Sequence, residues 1–80
     1  MTLYLTKDAD KSLKKIPSSE QKKVSRKLIN LESSIEKGKK LEGELKNKYS
    51  LKTWPYRIIY LISKQKIIVL NILHRQEAYR

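Results

Sequence analysis

Cysteine is absent from these 80 residues, which removes a disulfide framework, a thiol nucleophile and a thiolate metal site. Histidine occurs once, too few for the usual zinc ligand sets. Acidic side chains are scarce, with 8 Asp and Glu against 19 Lys and Arg and a formal net charge of +11. No uncharged run approaches the roughly 20 residues that a bilayer crossing needs. Lys7, Asp8, Asp10, Lys11, Lys14 and Lys15 interrupt the start of the chain, leaving no apolar signal core there. There is no repeat, no low-complexity tract and no linker. These absences predict a soluble, cytoplasmic protein without cofactor or metal, one small domain over residues 1–80 near the lower size limit for a self-sufficient core.

What is abundant is positive charge. Such an excess attracts polyanions, whether nucleic acid, an anionic membrane or an acidic protein, and it also simply solubilises a small domain. Lysine outnumbers arginine by 15 to 4, and three of the four arginines fall in the C-terminal third. Lysine is a hydrated point charge, whereas the planar fork of arginine suits phosphate. The arginines therefore carry more information per residue.

Hydrophobic periodicity divides the chain into two regimes. "TLYLT" alternates and predicts a short first strand over residues 2–5. Thr6 or Asp8 can cap a short helix whose stripe is Ala9, Leu13 and Ile16, ended by Pro17. Ser18 with Gln21 suggests a capping box for a second helix with the stripe Val24, Leu28, Leu31 and Ile35, and Gly38 is the expected stop. "GKKLEGELKNK" reads as a polar connector. Beyond it the pattern turns extended, with strands around residues 45–53, in "YRIIYLIS" and in "KIIVLNILH", the last apolar on both faces and so central. "KQK" makes a turn, and Pro55 marks a corner that Trp54 would plug. The fold class is α+β, in the order β-α-α-β-β-β, with a small antiparallel-type sheet and both helices on one face.

A short hairpin between the last two strands brings Arg57 near residue 73 or 74, so that Arg57 and His74-Arg75 meet at one sheet edge. Lys52 joins them through the 54–55 corner, with Lys46 and Lys48 upstream and Tyr79 and Arg80 downstream. Cations gathered without a cage of carboxylates suit phosphate, not a hard divalent metal. Such a cluster can grip a phosphate or assist cleavage beside it. RNA allows the second without metal, because its 2′-OH is a built-in nucleophile. Cleavage then needs one proton removed, one proton delivered and positive charge at the developing phosphorane. Arg57 and Arg75 can supply charge, and His74, Lys52 and Tyr79 are the titratable candidates. Histidine is the side chain that most readily changes charge near neutrality. Tyr49 and Tyr56 suit either base stacking or half-buried sheet packing.

"PYRIIY", the hairpin after it, and "HRQEAYR" resemble the RelE/ParE toxin superfamily of type II toxin–antitoxin systems. "TKDADKSLKKIP" is similar to the family's opening, and "KKLEGELKNKYSLKTWPYRIIY" to its middle, so the resemblance spans almost the whole chain. It implies a toxin neutralised by a cognate acidic antitoxin in a hetero-oligomeric complex. RelE-type members cut mRNA in the ribosomal A site as metal-independent endoribonucleases. Carried onto this sequence, Arg57 matches the strand Arg at the scissile phosphate and Arg75 the Arg after the last strand. Tyr79 matches the C-terminal catalytic Tyr, Lys52 the second Lys of the basic strand, and His74 falls where RelE has a Lys. Tyr56, Lys46, Lys48 and Arg80 would line the RNA path. Ser50 stands where the family has its first basic-strand Lys, a suspected proton acceptor, and Glu42 or Glu44 from the preceding loop is the alternative base. ParE-type relatives share the fold, lack the ribonuclease set and poison DNA gyrase. An inactive relic that only binds antitoxin is a further alternative.

Overall fold

A computed structural model describes residues 1–34, 37–40 and 47–74. Strand β1 (Thr2–Leu5) is followed by helices α1 (Lys7–Lys15) and α2 (Ser18–Glu32), then by strands β2 (Lys39–Lys40), β3 (Lys48–Thr53), β4 (Tyr56–Ser63) and β5 (Lys66–His74). The five strands form one sheet in the order β1-β5-β4-β3-β2. β2, β3, β4 and β5 pair antiparallel in turn, whereas β1 lies parallel to β5, making the sheet mixed. Among the described residues no helix is long and apolar enough to cross a membrane.

Local chemistry explains most boundaries. Thr6 caps α1, its Oγ1 accepting from the Ala9 N–H at 3.2 Å and donating to the Leu70 carbonyl at 2.9 Å. One hydroxyl thus starts the helix and ties it to β5. Asp8 and Asp10 sit in the first turn and Lys14 and Lys15 in the last, both favourable to the helix dipole. Pro17 disfavours helical backbone at Ile16, which is extended at ψ 135°.

The expected Ser18–Gln21 capping box does not form. Pro17 itself is the N-cap and its carbonyl accepts from the Glu20 and Gln21 N–H groups at 2.9 and 2.8 Å. That makes Ser18 the first helical residue and frees the Gln21 side chain to donate to the Leu13 carbonyl at 2.8 Å, stitching α2 to α1. Gly38 is not the stop of α2 either. The helix ends at Glu32, and Ser34 takes the left-handed turn at φ 62°. Ile35, expected on the buried stripe, lies outside the described residues.

Both helices pack on one face of the sheet, as their stripes require. Val24, Ile58 and Val69 are fully buried there, joined by Ala9, Ile16, Leu28, Leu31, Tyr60, Ile67 and Ile72. The β4–β5 turn is Lys64-Gln65 with φ 48° and 64°, the mirror-image geometry that matches strand twist in two-residue hairpins. Lys66 therefore pairs with Ser63 and belongs to β5, not to the turn. The sequence gives no sign of β2, which emerges inside the expected connector to pair Lys39 with Ser50 and Lys40 with Tyr49. Two lysines show no alternation to read.

Candidate anion-binding groove

Strand alternation sorts the candidate residues by face. On β3, Lys48, Ser50 and Lys52 share the face opposite the helices, because Tyr49 and Leu51 between them pack against the core. Lys52 pairs directly with Arg57 on β4, and Arg57 in turn with Leu73 on β5. The expected approach of Arg57 to residue 73 is thus present. Tyr56, by contrast, pairs with His74 and turns toward the helices. Its hydroxyl donates to the Glu20 carboxylate on α2 at 2.7 Å, and its ring meets the His74 imidazole edge-on with centroids 5.4 Å apart.

Two concavities follow from this division. The first, of ≈ 430 Å³, is lined by Lys37, Lys39, Lys40, Lys52, Arg57 and Ser50, among others. Cationic residues line it with no carboxylate among the described lining residues, and Lys39, Lys52 and Arg57 share its face by strand alternation, a setting suited to an anion with several charges. The second, of ≈ 330 Å³, lies on the helix side and is lined by Ser12, Lys15, Ile16, Tyr56, Ile72 and His74. The structure therefore joins Lys52 to Arg57 but sets His74 and Tyr56 on the other face. Arg75, Tyr79, Arg80, Lys46, Glu42 and Glu44 lie outside the described residues.

Among the described aromatic residues, Tyr49, Tyr56 and Tyr60 serve packing. Tyr49 stacks on Tyr60 at 5.3 Å between centroids. Trp54 is 65% exposed, so it is not the plug of the β3–β4 corner that its place beside Pro55 suggested. Burial, reinforced by the hydrogen bond to Glu20 and the charge of that carboxylate, pushes the Tyr56 phenol up to about 12. Burial also raises Tyr60, partly offset by the Gly38 N–H that its hydroxyl accepts at 2.8 Å. Sequence reasoning missed Lys37, Lys39 and Lys40. Their only signal was the density of charge around Gly38, which reads equally well as solvated loop.

The one-sided mixed sheet of this order has counterparts among solved toxin–antitoxin structures. Chains in three solved structures share it. The RelBE2 toxin–antitoxin complex of Mycobacterium tuberculosis matches with 26% identity and a TM-score of 0.80 over 92% of this chain and 96% of the other. The RelB–RelE complex of Methanococcus jannaschii matches with 25% identity and a TM-score of 0.77, covering 94% and 93%. The isolated RelE toxin of E. coli, 24% identical with a TM-score of 0.76 over 98% and 89%, supports the fold alone. No curated protein matches. The model of the family described as ParE toxin of type II toxin-antitoxin system, parDE, matches residues 3–79. The chain belongs to that family, within the RelE/ParE superfamily.

Proposed function

We propose that this chain is the toxin of a type II pair and acts, as a single domain, as a ribosome-dependent, metal-independent endoribonuclease on mRNA. The observation that carries the reading is the directly opposed Lys52–Arg57 pair inside a groove of gathered cations. In this mechanism the RNA 2′-OH attacks the adjacent phosphate. Arg57 and Arg75 neutralise the charge that develops on the phosphorane. Lys52 and Tyr79 serve the leaving oxygen, and Glu42 or Glu44 accepts the proton of the 2′-OH. His74, facing the helices beside Tyr56, is expected to be dispensable. The target places the protein in the cytoplasm. An acidic, partly disordered antitoxin segment that folds on the +11 surface is the expected partner.

Inducing expression and mapping mRNA 5′ ends in ribosome-bound messages tests the activity. New ends at A-site codons are expected, and groups of this kind each contribute about 10²–10⁴-fold, so Arg57→Ala abolishes them. A 2′-deoxy nucleotide at the cut position must block scission. The family match to ParE favours a second reading, in which the chain poisons DNA gyrase without chemistry of its own. Gyrase cleavage complexes accumulating while mRNA stays intact would select it.

A further inference from the structure

Ser50 leaves a gap in the cationic row of β3. Along the face opposite the helices that strand offers Lys48, then a hydroxyl, then Lys52. We propose that Lys39, carried on the edge strand β2, fills this gap from the side and grips a second phosphate next to the one held at Lys52 and Arg57. The inference rests on reading the groove as the site of a single-stranded RNA.

Three observations carry it. First, Lys39 is the cross-strand partner of Ser50, which sets their Cβ atoms about 5 Å apart on one face. The cations thus stand in two adjacent rungs, Lys39 beside Ser50 and Lys52 beside Arg57. The rungs are two residues or about 7 Å apart along β3, a step comparable to that between neighbouring phosphates of an extended strand. Second, β2 is rooted. The Gly38 N–H donates to the Tyr60 hydroxyl at 2.8 Å, and Tyr60 is only 2% exposed. A Cβ at Gly38 would lie 2.6 Å from the Ser50 carbonyl oxygen, so the two backbones touch just one residue before Lys39. An exposed lysine on such a fixed base loses less freedom on binding than one on a free loop. Third, Lys37 lines the same concavity. Like charges held together repel in the free protein, and a bound polyanion relieves that repulsion.

The test is the salt dependence of binding to a short, fluorescently labelled single-stranded RNA, made uncleavable by 2′-O-methyl substitution at every position. Each phosphate contact adds about 0.7 to the slope of log affinity against log salt. Lys39→Ala should reduce the slope by that amount, so a fourfold rise in salt weakens the variant about 2.6-fold less than the wild type. Lys39→Arg should restore the slope. Lys64→Ala, which removes an exposed charge from the β4–β5 turn, should match the wild type. A Lys39→Ala slope equal to that of Lys64→Ala, with Lys52→Ala and Arg57→Ala reduced, overturns this inference alone. If Lys52→Ala and Arg57→Ala also leave the slope untouched, the groove is not an RNA site and both readings fall. Circular dichroism and thermal melts confirm that each variant folds.

Discussion

Replacing Gly38 by Ala tests how β2 is held. The added methyl would sit 2.6 and 2.8 Å from the carbonyl oxygen and carbon of Ser50, and 2.9 Å from the Tyr60 hydroxyl. The Ser50 atoms are backbone, locked in a ladder that pairs every residue of β3 from Lys48 to Thr53 with β4. β2 has only two paired residues. The short strand therefore yields, and the cost is capped by what its attachment contributes. That attachment comprises the Gly38–Tyr60 hydrogen bond, about 1 kcal/mol net, and a two-residue ladder of about the same worth. Lower unfolded-chain entropy of Ala returns about 0.5 kcal/mol. The net destabilisation is about 1–2 kcal/mol, or roughly 4–16 °C in Tm for a domain of this size. Urea unfolding gives the free energy, and hydrogen exchange should show faster exchange at residues 39 and 40 with the β4–β5 amides unchanged. Tyr60→Phe removes the same hydrogen bond without the clash, so the double variant should fall short of the sum of the two singles. A Gly38→Ala protein within about 0.5 kcal/mol of wild type, with unaltered exchange at β2, would refute the reasoning; that threshold is roughly the scatter of neutral surface substitutions.

Three further outcomes follow from the geometry. Ile58→Ala empties a fully buried site at the centre of the sheet and should cost about 3–4 kcal/mol in chemical denaturation. Thr6→Ala removes the cap of α1 together with its bond to the Leu70 carbonyl, a loss of about 1–2 kcal/mol that should leave RNA binding unchanged. Tyr56 has a folded-state value raised to about 12 from 10.0. Its contribution is thus fully present below pH 10 and disappears as pH rises to 12, because the unfolded chain gives up the phenolic proton first. Screening at this half-exposed phenol reduces the effect to ~1 kcal/mol. The stability difference between wild type and Tyr56→Phe should shrink across that interval and stay flat between pH 7 and 9.

Strand periodicity and the short turn made the hairpin legible, and with it the approach of Arg57 to residue 73. Facing was harder to read. His74 follows Leu73 by one residue, and one residue along a strand reverses the side chain to the other face. Sequence proximity to Arg57 therefore concealed a separation across the sheet. The capping box failed for a similar reason, since the Ser18–Gln21 spacing is local while the partner that Gln21 uses is the Leu13 carbonyl of the preceding helix.

By itself the sequence determined the two helical stripes, the three long strands and their order, and the excess of cations. Each of these is encoded by neighbours within a few residues, where backbone geometry and side-chain polarity act directly. Only the tertiary structure decided that β1 runs parallel beside β5, that two lysines form an edge strand, and that Gly38 serves as a contact point instead of a helix end. Those features depend on which distant backbone comes to lie alongside. A two-residue strand has no period of its own, and a glycine shows its purpose only when the atoms that crowd it are in place.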